Sequence, residues 1–178
     1  MNQKQLDVLK KNNDETRDFI RSCLSVGLMV LLKDNSNKDI TITKLCSVAG
    51  VSRTAFYRNY RDIEDVLEDK IKDLVIGMNK CIGTDIYDNW LNIFKLVQRN
   101  LKDFECIIKG GYEYKVYEVF MSLLPKEEDS RSIQSIWISL FYTFIIRWVK
   151  EKKPKKVEEM ARLAYKYTKN IPLVKKEG

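Results

Sequence analysis

Apolar residues recur every three to four positions along almost the whole of this 178-residue chain, interrupted by only seven glycines and three prolines. That period puts them on one side of a helix, so the pattern predicts an all-α protein with short connections. Asn13 and Asp14, with Glu15 in the following turn, predict a helix start, and the helix should run to about Lys33. Its buried stripe is Phe19, Ile20, Cys23, Leu24, Gly27, Leu28 and Leu31. Asp34-Asn35-Ser36-Asn37 reads as a loop, because such side chains compete for backbone hydrogen bonds. Two very short helices follow, Ile42 to Ala49 and Arg53 to Tyr60, with Thr41 and Ser52 as N-caps and Gly50-Val51 as the hinge. A fourth helix is expected from about Ile63 to Cys81, and others at Asn89–Lys109, Tyr112–Leu124, Ser130–Lys150 and Lys155–Asn170. Gly110-Gly111 and Pro125 supply the breaks.

The segment from Ile40 to Tyr60 carries the most information. Neither of its helices is long enough to be stable alone, so each must be held by packing. Leu45, Val48, Ala49, Val51, Phe56 and Tyr60 share one apolar side. At 100° per residue Thr54 and Arg58 point nearly opposite to Phe56 and Tyr60, with Tyr57 on the flank. Hydroxyl, phenol and guanidinium groups are the types that reach phosphates and base edges in a major groove. The alternative for Arg53, Arg58 and Arg61 is a solvated face of a small bundle.

The charge pattern sharpens this picture where bulk charge does not. The chain is +7 overall, yet residues 1–75 are nearly balanced, with much of the excess in Lys150, Lys152, Lys153, Lys155, Lys156, Lys175 and Lys176. Within residues 33–61, six basic groups (Lys33, Lys38, Lys44, Arg53, Arg58, Arg61) face two acidic ones (Asp34, Asp39), whereas residues 62–73 reverse to −4. A basic surface beside an acidic helix suits one side aimed at phosphate and another aimed away.

The run Thr-Ile-Thr-x-Leu-x-x-x-Ala-Gly-Val-Ser-Arg-x-x-Phe-Tyr-Arg-x-Tyr, followed by Glu64-Asp65-Val66-Leu67, resembles the DNA-binding domain of the TetR family of transcriptional regulators over roughly residues 14–75. The resemblance implies an N-terminal extension (1–13), a three-helix helix-turn-helix domain (14–75) whose third helix enters the major groove, and a C-terminal helical domain (76–178) for dimerisation and regulation. Carried over by position, Thr41, Thr43, Lys44, Arg53, Thr54, Tyr57, Arg58, Asn59 and Arg61 are the expected DNA contacts. Where the family usually has a phosphate-gripping lysine, this chain has Ile63, with Arg61 as the neighbouring substitute. The implied function is a dimeric repressor that binds a palindromic operator in double-stranded DNA and is released by a small-molecule effector. A helical co-regulator acting through protein partners is the alternative.

The C-terminal half has no comparable motif. Arg131, Ser135, Ser139, Thr143 and Arg147 form a four-residue series beside an apolar stripe of Ile136, Leu140, Phe144 and Trp148. Small residues permit close helix approach, and Val157, Met160, Ala161, Ala164 and Thr168 repeat the pattern. Ser135, Ser139, Thr143, Ala161 and Ala164 are therefore candidates for the interface of a homodimer, with an intramolecular core as the alternative. Trp90, Phe94, Tyr112, Tyr117 and Phe120, together with Phe104 and Tyr114, could line a ligand pocket or be simple core.

Composition excludes other classes. There is no histidine, no Gly-rich phosphate loop and no G-x-S-x-G elbow, which leaves no catalytic constellation, metal site or cofactor to expect. Cys23, Cys46, Cys81 and Cys106 lie far apart in apolar patterns, as reduced thiols of a cytoplasmic protein do. Residues 1–13 lack the apolar stretch of a secretory signal, and the longest apolar run, Ile136 to Ile146, falls short of the roughly 18 residues of a membrane span. It reads as a buried core helix.

Overall fold

A computed structural model describes residues 3–34, 40–80, 82–151 and 155–173. The expectations for Asn35, Ser36, Asn37, Lys38, Asp39, Cys81, Lys152, Lys153, Lys175 and Lys176, and for the side chain of Asp34, lie outside what is described. Among the described residues every regular element is a helix: α1 (Gln3–Asp34), α2 (Ile42–Ala49), α3 (Arg53–Asn59), α4 (Ile63–Asn79), α5 (Ile86–Arg99), α6 (Leu101–Lys109), α7 (Glu113–Ser122), α8 (Glu128–Lys150) and α9 (Val157–Thr168). The chain divides into two compact units, Met1–Lys70 and Ile71–Gly178, with α4 contributing to both.

In the first unit α1 is the base on which α2 and α3 pack. Leu24, Leu28, Leu32, Leu45 and Phe56 are each at most 1% exposed, and burying side chains of this size contributes about 1.5–3 kcal/mol apiece. Gly27 permits the close approach of α1 to α2, because a Cβ built there would lie 3.1 Å from the Ala49 Cβ. Helix α1 begins ten residues before the expected Asn13-Asp14 start. The preceding segment contains no proline or glycine, and ion pairs between Lys11 and Glu15 and between Asp14 and Arg17 bridge successive turns across the supposed cap. Thr16 donates its hydroxyl back to Asn12 O, another continuous-helix contact. Two residues assigned to buried stripes are instead on the surface, Phe19 at 70% and Val48 at 46% exposure. In α2 the buried partner of Leu45 is Cys46.

In the second unit α5 packs along α9, and α8 packs against α6 and α7. Trp90 is fully buried, stacks on Phe94 at 5.7 Å and meets Phe141 edge-on at 4.8 Å. Its indole N–H, which would be costly to bury unpaired, donates to Thr168 Oγ1 at 2.8 Å. The expected helix Asn89–Lys109 is two helices, broken at Asn100, whose Nδ2 donates to Leu96 O. Asn favours such breaks because its amide offers the backbone an alternative partner. Gly111, at φ 80, makes the next turn. By length and composition α8 could cross a membrane, but Trp137, Ile138, Phe141, Ile145, Ile146 and Trp148 bury one of its faces within this unit.

Candidate nucleic-acid interface

Thr41 starts α2 from an extended backbone (φ −108, ψ 155), and its Oγ1 accepts the Lys44 N–H at 3.2 Å. Gly50 ends the helix in the left-handed region, at φ 65 and ψ 28. The Gly50 N–H donates to Ser47 O and the Val51 N–H to Cys46 O at 3.0 Å, the paired pattern that closes a helix on a left-handed glycine. Ser52 then caps α3, with Oγ accepting the Ala55 N–H at 3.1 Å. Two helices of eight and seven residues are thus defined at each start by a hydroxyl and joined by a three-residue turn.

Packing decides which side chains face outward. Phe56 is fully buried and Tyr60 is 7% exposed, which rotates Arg53, Thr54, Tyr57 and Arg58 into solvent. Thr41, Thr43 and Lys44 are also exposed. Tyr57, at 54% exposure, stands edge-on to Phe56 with ring centres 5.4 Å apart, so its ring is braced while about half of the residue stays open to solvent. From Ile40 to Arg61 there are four basic side chains and no acidic one.

Asn59 and Arg61 are arranged differently from the rest of the expected contact set. Asn59 is half-buried and donates Nδ2 to Ala55 O at 2.8 Å, turning its amide back on α3; its Oδ1 is buried with no hydrogen-bond partner among the described residues. Arg61 grips Asp65 in a fork, Nε to Oδ2 at 2.9 Å and Nη2 to Oδ1 at 2.7 Å, while its backbone N–H also donates to Asp65 Oδ2. The Arg61 hydrogen bonds hold the Asp65 carboxyl down at about 2. Asp62 accepts the Asp65 N–H, so this knot also caps the start of α4, where Ile63 is half-buried.

A second polar knot, not apparent from the sequence, fixes the far end of α3. The Tyr60 hydroxyl donates to Asp69 Oδ2 at 2.7 Å and accepts from Arg21 Nε at 3.2 Å, and Arg21 Nη2 also donates to Asp69. The hydrogen bonds it donates to Asp69 and then to Tyr60 raise the Arg21 guanidinium above its ordinary value. Burial, then the Asp69 hydrogen bond, pushes the Tyr60 phenol up to about 12. Helices α1, α3 and α4 are joined by one hydroxyl. Arg21 flanks the buried stripe of α1, and that position was the only available sign of it.

The remaining predicted residues divide sharply. Trp90 and Phe94 are fully buried and packed on one another, Tyr112 is buried, and Tyr117 lies against the Tyr142 ring at 5.4 Å. Of that group Phe120 alone lines a cavity of about 1160 Å³ in the second unit. Ser139 and Thr143 are exposed on α8, with their hydroxyls bonded back to Ser135 O and Ser139 O, and Ser135 is half-buried. Ala161 and Ala164 are fully buried within the unit that pairs α5 with α9, so these two cannot be the outward surface of a dimer. The small side chains serve the intramolecular approach instead.

No protein-family model and no curated protein matches the sequence. Solved structures do match in fold. A TetR transcriptional regulator from Streptococcus agalactiae 2603V superposes with a TM-score of 0.57 at 15% identity, covering 89% of this chain and 98% of that one. A tetR-family transcriptional regulator from Streptomyces coelicolor gives 0.50 at 14% identity, covering 84% and 81%. The chain has the all-helical fold of TetR-type transcriptional regulators, with the helix-turn-helix in its first unit.

Proposed function

We propose that this protein is a DNA-binding transcriptional repressor of the TetR type, acting in the cytoplasm as a homodimer on a palindromic operator. The observation that carries the proposal is the doubly capped α2-turn-α3, whose packing turns Arg53, Thr54, Tyr57 and Arg58 outward on a segment without a single acidic residue. Thr41, Thr43 and Lys44 at the start of α2 would hold phosphate, and Arg53, Thr54, Tyr57 and Arg58 would meet base edges or the adjoining backbone. The two similar structures, both described as transcriptional regulators, support the same direction. One short recognition helix makes few contacts, and a two-fold pair doubles them. The outward side of α8, with Ile136, Ser139 and Thr143, supports its assignment to that pairing. A ligand in the second unit would release the operator. The test is titration of labelled duplexes at several salt concentrations: affinity should fall steeply with salt and depend on sequence. Binding that ignores both would reject the proposal.

A specific observation favours a second reading, in which the chain acts through protein partners. Arg61, the one substitute for the missing lysine at Ile63, is already engaged by Asp65. Co-purification of a partner protein without sequence-dependent DNA binding would select this reading.

A further inference from the structure

We propose that the cavity of the second unit takes a neutral, mainly apolar small molecule with a single hydrogen-bonding end held at the rim; this deepens the ligand-release part of the proposed function. Its volume, about 1160 Å³, is ample for a small organic ligand. The inner wall is built from Val75, Phe120, Trp137, Ile138 and Phe141, none more than 9% exposed.

The two buried polar side chains at this wall are each held by a partner within the chain, and Thr84 is exposed. Asn89 is buried, its Oδ1 accepts the Gly83 N–H at 2.6 Å, and its Nδ2 donates to Gly83 O at 3.1 Å. The Trp137 indole N–H donates to Pro172 O at 2.9 Å. A charged group placed against this wall would give up its water and gain no partner, so the deep part of the ligand must be uncharged and apolar. The rim differs. Ser130 and Gln134 are half-buried there, and neither side chain has a hydrogen-bond partner among the described residues. A glutamine amide both donates and accepts, which fits a hydroxyl, carbonyl or amide. Lys126 and Glu127 stand together at the exposed mouth with opposite charges, so neither sign of ligand charge is favoured.

Two fluorescent probes share one ring skeleton and differ by a sulfonate, N-phenyl-1-naphthylamine and 8-anilinonaphthalene-1-sulfonate. Titrated into the full chain, the neutral probe should bind at one site, at least about tenfold more tightly than the sulfonate. Ser130→Trp, which fills the rim, should weaken the neutral probe by at least about tenfold without changing the melting temperature. If that variant is destabilised, Leu123→Trp on the same rim replaces it. The parent should also prefer 1-naphthol over naphthalene, and Gln134→Leu should abolish that preference. Equal binding of the sulfonate probe, full binding to a well-folded rim-filled variant, or a naphthol preference that survives Gln134→Leu would overturn the assignment. Adding saturating neutral probe to the DNA complex is a separate measurement: an unchanged DNA affinity would reject ligand release while leaving the ligand class standing.

Discussion

At Gly50 the constraint on the residue is conformational and not steric, since a Cβ there would meet nothing within 4 Å. A side chain held at φ 65 costs roughly 1–2 kcal/mol, and a β-branched one more. Gly50→Val should therefore lower the melting temperature while Gly50→Asn, which tolerates this region, should cost visibly less; equal melting of both would mean that the turn relaxes. Arg58→Ala and Tyr57→Ala should keep the parental melting temperature and weaken DNA binding by about 1–3 kcal/mol each, read by anisotropy. Asn59→Ala should change DNA affinity much less, because its amide is committed to Ala55 O. A loss as large as that of Arg58→Ala would show that Asn59 turns outward on DNA. Residue types were legible here because capping hydroxyls and a turn glycine act locally. The orientation of Asn59 and the pairing of Arg61 depend on neighbours that the spacing does not reveal.

At the level of elements, the start of α4 carries a pH dependence whose sign follows from its carboxylate. The Asp65 carboxyl titrates at about 2 when folded, below an ordinary carboxylate near 4, so folding favours its ionised form. The stability it contributes is present above about pH 4 and lost as pH falls toward about 2. Thermal melts should show parent and Asp65→Asn differing at pH 5 and converging by pH 2; a constant difference would rule out the ionised knot as the source. At the other end of the scale, Tyr60 is held protonated, and its contribution should fade as pH rises from about 10 to about 12. Helix boundaries were readable where caps or glycines mark them, as at α2, α3 and Gly111. They were misread where the deciding contact is weaker: Asn13-Asp14 lies within a continuous helix stitched by ion pairs, and Asn100 divides a stretch whose apolar period runs through it. Periodicity also could not say which partner a stripe faces. Ala161 and Ala164 are spent on the approach of α9 to α5, and Trp90 and Phe94 on the core, so the cavity is elsewhere.

For the whole molecule the proposed function turns on assembly on DNA. Sedimentation at micromolar concentration should give a dimer of the 21.0 kDa chain; a monomer that stays monomeric on DNA would remove the two-fold reading. Replacing Ser139 by Arg on the exposed face of α8 should weaken that dimer without lowering helicity, whereas an unchanged dimer would place the interface on another face. The most direct measurement is selection of bound duplexes from a random-sequence pool, followed by footprinting of the winners. The proposed function predicts a palindrome with half-sites about 10 base pairs apart, or a multiple of that, matching the roughly 34–36 Å return of the major groove, and protection that needs at least about fivefold more protein in Arg58→Ala. A pool that emerges unenriched, or protection that Arg58→Ala leaves intact, would contradict it.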